Sequence, residues 1–271
     1  MEFFSQLSQE QKTKKTSLCV GLDPNPEKFP EGLPGGSEGI YKFLSQVIGV
    51  TAHYACAFKP QVAYFSAFRA EDVLEQLIAD IHRDHPTVPV VLDAKRGDIG
   101  STAEMYAREA FERYRADAVT VNPYMGADSV LPFASYSDKG VFVLCRTSNP
   151  SAGETQNLSL ESGEKYFQFL AKMAVSKWNA HKNLGFVVGA TAVDELTQIR
   201  QLCPESWFLV PGVGAQGGSL SEVLLKGSFS QGGGVLVNSS RGILYKSAGP
   251  DFAEASRASA QELQVQMERY F

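Results

Sequence analysis

Eight short apolar runs punctuate the chain, and longer amphipathic stretches separate them. The runs cover residues 17–23, 55–59, 89–95, 118–122, 140–147, 184–190, 207–213 and 234–240. They are close to continuously apolar rather than strictly alternating, the pattern of parallel strands covered on both faces. Between them, the spacing of apolar residues predicts helices over 40–53, 71–83, 101–115, 161–181, 194–202 and 220–226. A helix over 2–15 precedes the first strand, and one over 251–270 closes the chain. Ser101-Thr102-Ala103-Glu104 has the form of a capping box, and Glu104 with Arg108 makes an i,i+4 pair on the helix it would open.

Alternating strand and helix predicts a parallel α/β sheet. Eight such units favour a single (β/α)8 TIM barrel with an extra N-terminal helix, one domain over residues 1–271. The count alone leaves an open doubly wound sheet as the alternative. A barrel of this kind needs about 250 residues, and no linker or shift in composition divides the chain. Residues 149–163 form a long polar loop after the fifth strand, of a length that often serves as a lid.

Composition narrows the function classes. A hydrophobic content of 44% fills a large core and excludes a disordered chain. With 25 basic and 30 acidic residues, the net charge of −5 argues against nucleic acid as a partner. No apolar run reaches the ~20 residues of a membrane span, and the first residues lack a secretory signal. Cys19, Cys56, Cys145 and Cys203 are scattered without a CxxC pair, which reads as reduced core cysteines in a cytoplasmic protein.

In a barrel the chemistry sits at the C-terminal strand ends. Those ends carry Asp23, Lys59, Asp93-Ala94-Lys95, Asn122, Arg146-Thr147-Ser148 and Asn238-Ser239-Ser240-Arg241. Asp93 and Lys95 are two apart and so share a strand face. Asp98 lies past the strand and must arrive from a loop, of this subunit or another. Three carboxylates could hold Mg²⁺, but the Lys95 ammonium can take the place of a cation, and the reading is no metal. Carboxylates beside Lys59 and Lys95 favour their charged forms, which suits a proton donor better than an amine nucleophile. Glycines at 212, 214, 217 and 218 let backbone N–H groups approach an anion. Arg241, after the eighth strand, supplies a second phosphate contact. The four histidines all fall in predicted helices or at their ends, so acid–base work is left to Lys and Asp.

Residues 93–102, DAKRGDIGST, resemble the DxKxxDIxxT signature of the orotidine 5′-phosphate decarboxylase family. The resemblance extends to CVGLDP at 19–24, FKPQ at 58–61, TSNPSA at 147–152, PGVGAQGG at 211–218 and NSSRGI at 238–243. The lengthened 149–163 loop resembles the longer bacterial branch. The resemblance implies cofactor-free conversion of orotidine 5′-phosphate to UMP and CO2, the last step of de novo pyrimidine nucleotide synthesis. It implies that Asp23 and Lys59 hold the ribose hydroxyls and brace the charge network. Asp93 would lie beside the substrate carboxylate, and Lys95 would protonate the carbon that loses CO2. Ser148 would bond the pyrimidine, while Gln216 and Arg241 would hold the phosphate, Gln216 also bridging to the base. Asp98 and Thr102 would enter the partner's site in a homodimer. Two other functions remain as alternatives: a Mg²⁺-dependent sugar-phosphate aldolase, synthase or epimerase on the same barrel, and a non-catalytic nucleotide-binding protein.

Overall fold

The computed structural model describes residues 2–214 and 217–271. The apolar runs form β1 Leu18–Leu22, β2 Ala57–Pro60, β3 Val91–Arg96 and β4 Ala118–Val121. They continue as β5 Gly140–Arg146, β6 Leu184–Val188, β7 Trp207–Pro211 and β8 Val235–Ser239. Every ladder is parallel, in the order β2-β1-β8-β7-β6-β5-β4-β3. The remaining edges meet through parallel bridges Phe58–Val90 and Gln61–Asp93, which bring the sheet round to a barrel.

Alternation along the strands explains why the runs are continuously apolar. One set of residues, including Ala57, Val91, Ala118, Phe142, Val187, Leu209 and Leu236, packs inside the barrel. Their immediate neighbours, including Phe58, Leu92, Val119, Val143, Val188, Val210 and Val237, belong to a separate core shared with the helices. Both faces are therefore withdrawn from water, and hydrophobic burial rewards apolar residues at every position.

The outer layer consists mainly of α2 Gly36–Thr51, α3 Val62–Ser66, α4 Glu71–Asp84, α5 Gly100–Arg108 and α6 Leu131–Ala134. It continues through α7 Gly153–Gln156, α8 Tyr166–Met173, α9 Val193–Leu202, α10 Leu220–Gly227, α11 Arg241–Leu244 and α12 Phe252–Glu268. The predicted N-terminal helix forms as α1 Phe3–Lys14 and closes the end of the barrel opposite the strand C-termini. Its Phe3 and Leu7 join the interior core, and Phe4 stacks on Trp207 with ring centroids 5.5 Å apart. Gly140 makes room for this plug, because a Cβ there would lie 2.2 Å from the Phe3 ring. Gln11 Nε2 donates to Val235 O at 2.6 Å, and Lys14 Nζ donates to Ala52 O and Ala55 O at 2.9 Å each.

Three local expectations are corrected. The helix expected from residue 101 begins at Gly100 behind Ile99, with no side-chain cap, so Ser101 lies inside its first turn instead of preceding it. Arg108 pairs at 3.0 Å with Glu112, four residues on, and not with Glu104, four residues back, as its helix passes into a π-turn over Glu109–Arg113. The helix expected over 161–181 starts later, at Tyr166. The preceding residues form a bridge between Ser159 and Lys165.

Candidate active site

The interior stripe that packs Ala57, Val91 and Ala118 in the core reaches Lys59, Asp93 and Thr120 two residues further on. The barrel's apolar filling thus changes to a polar floor under a cleft of about 660 Å³ at the strand C-termini. Asp23, Lys59, Asp93, Lys95, Ser148 and Arg241 all line it. Among the described residues, no histidine does.

Asp93 is the hub. Its Oδ2 accepts from Lys59 Nζ at 2.8 Å, and its Oδ1 accepts from Lys95 Nζ at 2.6 Å and from the Thr120 hydroxyl at 2.9 Å. Lys59 and Asp93 are 3% and 6% exposed, whereas the Lys95 side chain is 43% exposed and faces the open cleft. Burial works against the charge on Asp93, but Lys59 and Lys95 outweigh it and hold the carboxyl well below the usual carboxylate range. Burial likewise opposes the charge on Lys59, and Asp93 with Asp23 overcomes it, keeping the ammonium protonated beyond the ordinary lysine range. Lys59 therefore presents a cation beside a fully ionised, buried carboxylate whose other oxygen accepts from Lys95 Nζ.

The strand geometry differs from a simple alternation. Leu92 pairs with Val119 and Arg96 with Val121, so β3 carries an irregular insertion between them. Lys95 sits in it with φ of 47°, a left-handed conformation that costs a non-glycine residue roughly 1–3 kcal/mol and is commonest at functional sites. Same-face periodicity led to the correct pairing of Asp93 with Lys95, but the backbone delivers it through a bulge.

Asp23, at the end of β1, accepts a hydrogen bond from the Ser240 hydroxyl through Oδ2, while its buried Oδ1 has no partner among the described residues. Tyr245 OH donates to Asp23 O and accepts from Asn25 N, both at 2.7 Å, which ties the first loop to α11. The convergence of β1 on β8 requires Gly21: a Cβ there would stand 2.8 Å from Ser240 Oγ.

Two expected site residues are not brought into this cleft by their own chain. Asp98 is half-buried in the loop after β3, and its Oδ1 accepts from Ile99 N at 2.8 Å. Thr102 is exposed on α5. Neither lines the cleft. Gln216 lies outside the described residues. In the glycine loop, Gly212 and Gly214 take φ of 97° and 70°. The N–H groups of Gly214, Gly217 and Gly218 bond to Gly218 O, Gly214 O and Gly212 O, rather than facing outward as an open anion cradle. Among the described residues, no three His, Cys, Asp or Glu side chains gather as a metal-ligating cluster.

Sequence reasoning passed over Gln156 and Thr120. Gln156 folds the long loop back onto β5: its Oε1 accepts from Thr147 N at 2.8 Å, its Nε2 donates to Thr147 Oγ1 at 2.9 Å, and the residue lines the cleft. Nothing in a polar loop marks it. Thr120 did carry a signal, a polar residue at an interior position of an otherwise apolar strand.

Residues 16–258 match the model of the orotidine 5′-phosphate decarboxylase / HUMPS family. An orotidine 5′-phosphate decarboxylase of Azoarcus sp. is 53% identical over 260 residues, 96% of each chain. That of Cupriavidus necator is 50% identical over 270 residues, covering 100% of this chain and 99% of its own.

The chain belongs to the orotidine 5′-phosphate decarboxylase family.

The barrel agrees. The structure of Leishmania donovani OMP decarboxylase superposes with a TM-score of 0.87 at 39% identity, covering 100% of this chain and 99% of that one. The chain spans 56% of Leishmania donovani UMP synthase, with a TM-score of 0.88 at 40% identity. The decarboxylase-family signature thus falls, in this structure, on the strand that carries Asp93 and Lys95 and on the loop that carries Asp98.

Proposed function

We propose that the protein decarboxylates orotidine 5′-phosphate to UMP and CO2, the final step of de novo pyrimidine nucleotide synthesis, without a cofactor. The observation that carries this reading is Asp93 held between Lys59 and Lys95 at the cleft floor, in a chain of this family.

Heterolysis of the ring carbon–carboxylate bond sends CO2 away and leaves the electron pair on that carbon, in an orbital the ring does not delocalise. A preorganised cation in a water-poor site stabilises such charge. The Lys95 ammonium fills that role and then transfers a proton to the carbon, which closes the balance of charge and atoms. Asp93, fully ionised, repels the substrate carboxylate more than the departing neutral CO2. Asp23 and Lys59 hold the ribose hydroxyls, Ser148 the pyrimidine, and Arg241 with Gln216 the phosphate. Remote binding through the phosphate offsets the cost of desolvating the reacting end.

The working unit in this reading is a cytoplasmic homodimer whose subunits exchange Asp98 and Thr102. Both residues stand outside their own cleft. Ile99 and Met105 beside them are each 52% exposed, and Tyr124 in the loop after β4 is 85% exposed. Exposed apolar groups on α5 and in the loops after β3 and β4 suit an isologous contact.

The deciding assay follows the loss of orotidine 5′-phosphate absorbance with purified protein, with and without EDTA. Turnover undiminished by chelator is expected. No turnover, or turnover abolished by EDTA and restored by Mg²⁺, overturns the proposal.

A further inference from the structure

Thr120 lies on β4, 1% exposed and outside the cleft lining, yet its hydroxyl bonds both the Asp93 carboxylate and the Lys95 backbone. The oxygen accepts from Ala94 N at 3.1 Å and from Lys95 N at 2.9 Å, and the proton goes to Asp93 Oδ1 at 2.9 Å. A hydroxyl offers one donor and two acceptor sites, so all three are used. The insertion in β3 takes Ala94 and Lys95 out of the ladder with β4. Their N–H groups would then lack a strand acceptor, and the Thr120 oxygen replaces the missing carbonyls. Lys95 leaves this point in a left-handed conformation, φ 47°. One oxygen atom therefore holds the backbone from which the cation departs and the carboxylate on which it rests.

We propose that Thr120 is a positioning residue for the chemical step, setting the placement of the Lys95 ammonium relative to Asp93 without touching substrate. The inference rests on the decarboxylase reading of this site. Its signature follows from the division of labour in the cleft. The phosphate is gripped by Arg241, and the ribose partner Lys59 sits on the other carboxylate oxygen of Asp93, so losing the Thr120 hydroxyl on Oδ1 leaves most ground-state binding in place and falls chiefly on the reacting end. Small misplacements of a reacting group cost up to about 10²-fold in rate.

The experiment compares Thr120→Val, nearly the same shape without the hydroxyl, with Thr120→Ser, which keeps it. Thr120→Val is expected to lower kcat by roughly 10- to 100-fold with KM and UMP affinity within about threefold of wild type. Thr120→Ser should recover kcat to within about threefold of wild type. Amide hydrogen exchange supplies a readout independent of turnover: the Ala94 and Lys95 amides should lose protection in Thr120→Val and keep it in Thr120→Ser. Should Thr120→Val fail to fold, Thr120→Ala takes its place against Thr120→Ser. Unchanged kcat in the hydroxyl-free variant, a loss confined to KM, a serine variant as poor as valine, or amides that stay protected would each overturn the proposal. An inactive wild type would instead overturn the decarboxylase reading, while the exchange measurement would still decide whether the hydroxyl holds the bulge.

Discussion

Removing Lys59 tests whether the charge network is held together as the geometry implies. Lys59→Met keeps most of the side-chain volume but deletes an ammonium 2.8 Å from Asp93 Oδ2. Both partners are almost wholly buried, and breaking such a pair by removing one side costs about 3–5 kcal/mol. Asp93 keeps Lys95 at 2.6 Å and the Thr120 hydroxyl at 2.9 Å, so the lower end applies, roughly 3 kcal/mol. For a chain of this size that lowers Tm by roughly 6–12 °C. Urea denaturation of wild type, Lys59→Met, Asp93→Asn and the double variant measures the coupling directly, and a favourable coupling of at least about 1 kcal/mol is expected. The pH dependence supplies an independent check. The Asp93 carboxyl is held below its ordinary range in the folded wild type, so its contribution is present above the unfolded value of about 3.9 and is lost as pH falls through the lower folded value. Lys59 is held above its ordinary range, so its share is complete below about pH 10.4 and is lost only as pH rises through the higher folded value. In Lys59→Met the opposing burial is less fully cancelled and the Asp93 carboxyl moves upward. Protonation then relieves the variant, and its deficit against wild type should narrow as pH falls from about 7 towards 4. A deficit under about 1 kcal/mol at neutral pH, or one that widens on acidification, would refute the reasoning.

Arg241→Ala should weaken UMP roughly 10- to 100-fold, the worth of a hydrogen bond to a charged group, while leaving uridine affinity nearly unchanged; calorimetric titration with both ligands checks this, and equal losses would remove Arg241 from the phosphate site. Mixing inactive Lys95→Ala with inactive Asp98→Ala subunits should restore turnover, because each mixed dimer holds one fully wild-type site. With about half the dimers mixed, up to roughly a quarter of all sites recover, and confirmed subunit exchange without recovery would place Asp98 in the service of its own chain.

The eight strands were legible because burial on both faces leaves a signal that needs only local sequence: strands of four to seven residues, largely apolar up to any polar C-terminal end, between helical stretches. The plugging helix was equally visible as a periodic segment, although what it plugs was not, since Phe4 meets Trp207 some two hundred residues away. The site was legible where strand ends carry charge: Asp23, Lys59, Asp93, Lys95, Ser148 and Arg241 come together because a barrel gathers the ends of all its strands at one mouth. The local signal failed at the start of α5. The capping-box letters at 101–104 lost to a chain that turns at Gly100, φ 54°, which the loop after β3 imposes.

The sequence by itself determined the strand and helix alternation and the identity of most groups at the strand ends, whereas closure of the sheet into a barrel came through the Phe58–Val90 and Gln61–Asp93 bridges. The alternation and the strand-end groups follow from residue type and period, which are properties of short stretches of chain. Tertiary structure alone decided that Thr120 braces Asp93 and the Lys95 backbone and that Gln156 folds the long loop onto β5. It also decided that Asp98 and Thr102 stay out of their own cleft. Each depends on where two distant segments meet: a register shift between neighbouring strands, a side chain crossing a loop, or the direction in which a loop leaves its strand. Directional hydrogen bonds and close packing settle such meetings once the segments are in place, and no period along the chain encodes them.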